Sequence, residues 1–246
     1  AHNLPGGNPL VRLALPFVGG QASQIIAVSQ AVADSLALHA LPRAKITVIP
    51  NGVDFDWFAP DHLNRAQARQ EFGLPKDAFV VAAIARLSPE KGLDTLLETA
   101  GQRPGMNFLI AGEGPQRPQL ERNLPPNARL LGRIDDIRRL LAAANVLAVP
   151  SRQEGQGIVA LEAMAARVPI VATRVGGLAQ MLSDGETALL VPANDSMALA
   201  AALSRLQSDK TLPARLVENA AVVVREQYDI EQMARATAAV YEKMRP

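Results

Sequence analysis

Cysteine is absent from the 246 residues. That excludes a disulfide framework and thiolate metal sites, and it is neutral to mildly favourable for a cytoplasmic location. Histidine occurs only at positions 2, 39 and 62, with no metal-ligand spacing. Charge of one sign is also lacking: 25 Lys and Arg against 24 Asp and Glu leave a net +1. Such a balance provides no field for nucleic acid or an anionic membrane surface. No apolar run approaches the roughly 20 residues that a membrane span needs. The opening Ala-His-Asn-Leu-Pro-Gly-Gly-Asn-Pro has neither the charged start nor the continuous apolar stretch of a signal peptide. It has no methionine either, so the chain reads as beginning partway through something longer. Internal repeats, low-complexity tracts, a Gly-x-x-x-x-Gly-Lys-Ser/Thr phosphate loop and a Gly-x-Ser-x-Gly elbow are all missing.

What remains is ample core material, 48% hydrophobic, enough for one large or two modest domains. Residues 1–22, rich in Gly and Pro, read as irregular. Two short apolar strands, 25–28 and 46–49, flank a helix that Ser29 can cap, a βαβ unit too small to stand alone. The turn-rich stretch 51–60 follows, with Asn51-Gly52 as its sharpest signal. From residue 79 the pattern is regular. Strands apolar throughout are predicted at 79–85, 107–111, 128–131, 145–149, 170–173 and 188–191, alternating with helices. Such strands indicate a parallel sheet covered on both faces. The fold class expected is α/β: a doubly wound, Rossmann-like parallel sheet, preceded by a fragment of a second such domain. The domain division expected is 1–60, 61–228 and a C-terminal helical segment, 229–246, packing back on the N-terminal part.

In such sheets ligands sit beyond the carboxyl ends of the strands. After the strand at 145–149 comes Pro150-Ser-Arg-Gln-Glu154-Gly155-Gln156-Gly157-Ile158, then a helix. Ile158, Leu161 and Ala165 are expected on one face of it, with Glu162 at the edge. A carboxylate there costs several kcal/mol unless a donor meets it. Bare amides at the helix start want an acceptor. Together they ask for a ligand with hydroxyls and negative charge. Arg86 and Lys91 bracket the turn after the first strand, where a fork donor and a point cation could hold a diphosphate; the alternative is two solvated cations, with Lys91 paired to Glu90. Gly112-Glu-Gly114 reads as a tight turn. Gly132 permits close backbone approach, as a stacked base would require, or belongs to a simple cap with Asp135 as the capping residue. The dinucleotide reading of Gly155-x-Gly157-x-x-Ala160 lacks its ribose acid about 20 residues on. Asp54-Phe-Asp56 imitates a metal–nucleotide motif but lies in the turn-rich linker, and is set aside.

In order along the chain, the phrases Val48-Ile-Pro-Asn-Gly-Val-Asp54, Ala85-Arg-Leu-Ser-Pro-Glu-Lys-Gly92, Ala111-Gly-Glu-Gly-Pro115, Leu131-Gly-Arg-Ile-Asp-Asp136, Pro150 to Ile158, Leu161-Glu-Ala-Met-Ala165 and Val175-Gly-Gly177 resemble the retaining GT-B glycosyltransferases of family 4. The resemblance implies transfer from a nucleoside-diphosphate sugar, a UDP- or GDP-sugar, with retention of configuration and no required cofactor or metal. Arg86 and Lys91 hold the diphosphate in that comparison, and Glu154 meets the sugar hydroxyls. The amides of Gly155, Gln156 and Gly157, with Ile158, border sugar and phosphate. Glu162 accepts from the ribose diol, and Gly132, Arg133 and Ile134 border the base. His2, 27 residues before Ser29, lies near the position of a family histidine that faces the reacting sugar; the alternative is a terminal histidine without a role. No residue stands out as a nucleophile. The acceptor implied is a glycan, a lipid or a small molecule, never nucleic acid, with peripheral contact to the inner membrane face through an N-terminal half that this chain largely lacks. Departures from the family pattern are Gln156 for an aromatic, Arg167 and Ala188 for glycines, and Gln180 for a glutamate. The alternative function is a non-catalytic module that binds nucleotide sugar.

Overall fold

The computed structural model describes residues 16–17, 19–60 and 64–244; His2 lies outside them. Two parallel strands, β1 (Ile25–Ala27) and β2 (Ile46–Val48), pair in register Ile25 to Ile46, with α1 (Gln30–Leu38) between them. The Ser29 side chain caps α1 by accepting from the Val32 amide. This unit has its own small cluster of Ala27, Val28, Val32, Ala33, Leu36 and Leu41.

A separate sheet of six parallel strands forms the main body: β3 (Phe79–Ile84), β4 (Met106–Ala111), β5 (Ala128–Gly132), β6 (Val146–Val149), β7 (Ile170–Thr173) and β8 (Leu189–Val191). Their spatial order is β5-β4-β3-β6-β7-β8. Successive residues of a strand point to opposite faces, and here both faces are buried. Val80, Ala82, Leu109 and Leu147 pack on one side, Val81, Ala83, Phe108 and Val146 on the other. That explains the unbroken apolar runs. The chain starts in the middle, winds through β4 and β5 to one edge, and returns to β6 beside β3. Between β3 and β6 the winding direction reverses, which opens a crevice beyond their carboxyl ends. The loops after β3 and β6 therefore face each other across it.

Four local readings are corrected or resolved. Asp136, not Asp135, caps the helix α6 (Ile137–Ala143), because only its carboxylate reaches the Arg138 amide. The stretch 51–60 contains a helical turn, Phe55–Phe58, whose first amides are met by Asp54 through Trp57; Asp54 is a capping residue. In the helix α7 (Ile158–Ala165) the buried residues include Ala160, Leu161, Ala163 and Met164, while Ile158 is 47% exposed. Ile158 shares the open side with Glu162 rather than the core. Lys91 pairs with Glu154 and not with Glu90.

The C-terminal helix α11 (Ile230–Lys243) begins against the linker: Val53 donates to the Tyr228 carbonyl at 2.8 Å and Ile230 to the Val53 carbonyl at 3.3 Å. Among the described residues no helix is long and apolar enough to cross a membrane.

Candidate functional site

The turn after β3 is pinned by two fully buried leucines, Leu87 and Leu93, which leaves the polar residues between them facing the crevice. Pro89–Lys91 form a single 3₁₀ turn. Glu90 bends back to Arg86, and the Ser88 hydroxyl donates to the same carboxylate at 2.7 Å. Burial pushes the Glu90 carboxyl upward, but the hydrogen bonds from Ser88, its own backbone and Arg86 outweigh it and hold it below the ordinary value. Arg86 itself stays on the surface of the crevice, its side chain 65% exposed.

Lys91 points the other way. Its Nζ donates to Glu154 Oε2 at 2.7 Å, and Ser151 Oγ donates to the same oxygen at 3.1 Å. Glu154 Oε1 has no donor among the described residues. The pair is largely buried, with side-chain exposures of 22% and 10%. Gly92 closes this turn in the left-handed region, φ +63°, and a Cβ there would lie 2.1 Å from the Pro150 carbonyl oxygen. Glycine is what lets the loops after β3 and β6 touch. Gly92→Ala is expected to lose about 2–3 kcal/mol, from the left-handed backbone and the displaced loop together; denaturant unfolding measures it, with an unchanged midpoint as the contrary result.

Arg152 locks the two loops further. Its guanidinium donates to Asn194 Oδ1 at 2.5 Å, the Pro89 carbonyl at 2.6 Å and Asp94 Oδ2 at 2.7 Å, and its amide donates to the Glu90 carbonyl. Neither Arg152 nor Ser151 stood out in the sequence. Nothing in a Pro-Ser-Arg-Gln run marks three-way hydrogen bonding to residues 42, 58 and 63 positions away. Gly176 and Gly177 complete the support: the Gly177 amide donates to the Glu154 carbonyl at 3.0 Å. A Cβ on either glycine would strike the backbone of residues 154–155.

At the start of α7, the amides of Gly155, Gln156, Gly157 and Ile158 meet no acceptor among the described residues. One turn further on, the half-buried Glu162 carboxylate likewise has no donor among them. Burial alone raises its pKa to about 7. Amides without acceptors, the Glu154 Oε1 atom, the Glu162 carboxylate and the exposed Ile158 thus gather in the loop after β6 and the first turns of α7, beyond the carboxyl end of the strand. Gly132 ends β5 and Arg133 and Ile134 follow it, on the same edge of the sheet but two strands from β3. Arg133 is paired loosely with Asp135 at 3.6 Å, both exposed. Ile134 packs on the core, and none of the three hydrogen-bonds to the Arg86–Glu154 cluster. The Gly112-Glu-Gly114 turn lies close against the Ala85 and Leu87 backbone, and Arg117 pairs with Glu113 and Glu121.

Cavities of about 800, 580 and 510 Å³ lie elsewhere, the first along residues 64–76 and the second around Arg65, Asn145 and Pro169 at the amino ends of the strands. Their Arg138 and Arg167 side chains are already paired, with Asp136 and Glu218. Open polar groups concentrate at the crevice instead. Among the described residues no group of His, Cys, Asp and Glu could hold a metal ion.

Residues 64–223 match the family model described as Glycosyl transferases group 1, and residues 1–57 the model described as Glycosyltransferase Family 4. The D-inositol 3-phosphate glycosyltransferase of Mycolicibacterium smegmatis is 35% identical over 206 residues, covering 76% of this chain and 46% of the relative. That of Saccharomonospora viridis is 39% identical over 213 residues, covering 77% and 48%. The chain spans about half the length of the curated relatives it matches. Among solved structures, Anabaena HepE with UDP and glucose has a TM-score of 0.87 at 26% identity, over 95% of this chain and 66% of that one. Sucrose-phosphate synthase of Thermosynechococcus elongatus has a TM-score of 0.85 at 28% identity, over 96% and 62%.

Proposed function

This chain belongs to the glycosyl transferases group 1 family, and from that premise we propose that it is the donor-binding part of a glycosyltransferase. The reaction proposed moves a sugar from a nucleoside-diphosphate sugar to a hydroxyl of a glycan, lipid or small molecule, with retention of anomeric configuration. The observation that carries the reading is Glu162: a half-buried carboxylate at the crevice that no described residue satisfies, one turn from four free amides. A ribose diol supplies the donors Glu162 lacks, and a diphosphate or sugar supplies acceptors for the amides.

In this reading Arg86 and Lys91 provide positive charge where the leaving diphosphate develops its negative charge. Arg86 reaches a diphosphate by exchanging Glu90 for it. Lys91 holds Glu154 in place through their ion pair, and Glu154 Oε1 accepts from a sugar hydroxyl. Gly132, Arg133 and Ile134 border the base. His2 is assigned to the sugar-facing side on the resemblance alone. No metal or other cofactor is assigned to the step, and a cytoplasmic location is part of the proposal. The UDP in the Anabaena neighbours makes UDP the first nucleotide to test, and the relatives' D-inositol 3-phosphate the first acceptor.

Glu154→Ala separates the roles. It is expected to weaken binding of the nucleotide sugar by about 1.5–3 kcal/mol, the scale of a hydrogen bond to a charged group, and to leave the nucleoside diphosphate within twofold. Calorimetric titration of both ligands measures this; equal losses contradict a sugar-side role. The chain's span of about half its relatives' length favours a second reading for the isolated chain, in which it binds donor without transferring sugar. Donor turnover by this chain alone eliminates that reading, and the anomeric signal of the product, read by NMR, tests retention.

A further inference from the structure

Gln156, in the middle of the loop after β6, is 4% exposed. Its carboxamide is turned to the main chain of residue 51 instead. Oε1 accepts from the Asn51 amide at 2.7 Å, and Nε2 donates to the Asn51 carbonyl at 3.3 Å. One side chain thus answers both polar groups of a single residue, as a neighbouring strand would. The segment it grips is held from its other side: Val53 bridges to Tyr228 and Ile230, and a Cβ on Gly52 would lie 2.4 Å from the Ile230 Cα. One residue earlier in the same loop, the Gly155 carbonyl accepts from Ser29 Oγ at 2.5 Å. Consecutive residues of the donor loop are therefore tied to the two-stranded unit and its linker, which share no strand pairing with the six-stranded sheet.

We propose that Gln156 is a positioning residue, a latch that sets the Glu154–Gly157 loop against the 51–53 segment, so that the direction of the free amides and of Glu154 depends on where that segment lies. The ligand side of this proposal rests on the function proposed above; the latch itself does not. The chemistry is specific to glutamine. An aromatic or aliphatic residue offers neither bond, asparagine is one methylene short, and glutamate sets a carboxylate against the Asn51 carbonyl. Because the partner is main chain, the Asn51 side chain is dispensable.

Residue-resolved amide hydrogen exchange on this chain, with UDP titration alongside, tests the proposal. Gln156→Met keeps the volume and removes both hydrogen bonds. Exchange at amide 51 is read relative to amide 53, so that any global loss of stability cancels. The ratio is expected to rise at least tenfold in Gln156→Met and to stay within twofold in Asn51→Ala, and UDP affinity to fall at least fivefold in the first variant only. An unchanged ratio in Gln156→Met overturns the latch. A raised ratio with unchanged UDP affinity overturns its positioning role. If the unsubstituted chain binds no UDP, GDP replaces it in the same titration; if it binds neither, the function proposed above fails, and the exchange ratio still decides the latch.

Discussion

Lys91→Met is expected to lower stability by about 3–5 kcal/mol and to shift the thermal midpoint down by on the order of 10 °C. The reason lies in what remains. Lys91 Nζ sits 2.7 Å from a Glu154 oxygen in a largely buried pair, so removing the cation strands a carboxylate with only Ser151 as donor. Removing one partner of a buried pair costs more than removing both. The double variant Lys91→Met, Glu154→Gln should therefore recover most of the loss, and a thermodynamic cycle on the four proteins reads the coupling directly. If the single and double variants melt together, the pair is not what holds the loops after β3 and β6. With sugar transfer as the readout, the same single variant is expected to lose at least about 100-fold in kcat, the scale for removing a preorganised charge at a developing anion.

Glu162→Gln should have opposite effects on folding and on binding. Burial holds the Glu162 carboxyl at about 7 in the folded chain, against an ordinary value of 4.5. The folded state thus holds the proton more tightly than the unfolded state between those values. Stability from this group is fully present below about pH 4.5, declines as pH rises, and is gone above about 7. Above pH 7 the ionised carboxylate costs about 2 kcal/mol, allowing for the solvent that reaches one side of it. Glu162→Gln should remove that cost, so the variant is expected to be more stable than the parent at pH 8 and about equal to it at pH 4. Urea unfolding at the two pH values checks this; a stability difference independent of pH contradicts it. Nucleoside diphosphate affinity should fall in the same variant by about 1.5–3 kcal/mol, roughly 10- to 150-fold, because the ribose diol loses an ionised acceptor. In the parent, affinity should rise with pH up to about 7 and then level off, and the part of that rise due to Glu162 should vanish in Glu162→Gln. A residue that stabilises when removed but binds when present marks a site kept for a ligand.

Much of this was legible in the residues, for physical reasons that can be named. Strands buried on both faces must be apolar throughout, so all six strands of the main sheet announced themselves in the runs from Phe79 to Val191. Polar residues in the turns just after such strands have little structural reason to be there, which is why Arg86, Lys91 and Glu154 could be picked out. Directions within those turns were not legible. Adjacent residues of a 3₁₀ turn point about 120° apart, so Glu90 and Lys91 diverge, one to Arg86 and the other to Glu154. The sequence of α7 is apolar on nearly every side and carries no direction for its core face, so Ile158 reads as inward although it is 47% exposed. Long-range ties such as Arg152 to Asp94 and Gln156 to Asn51 leave no periodic trace, because they depend on how the windings bring distant loops together.

The most direct test of the account is calorimetric titration of this chain with UDP and GDP, repeated on Arg86→Ala and Glu162→Gln. The account predicts that the chain binds one equivalent of a nucleoside diphosphate and that each substitution weakens that binding at least tenfold. Binding of neither nucleotide, or binding that both substitutions leave unchanged, would contradict it.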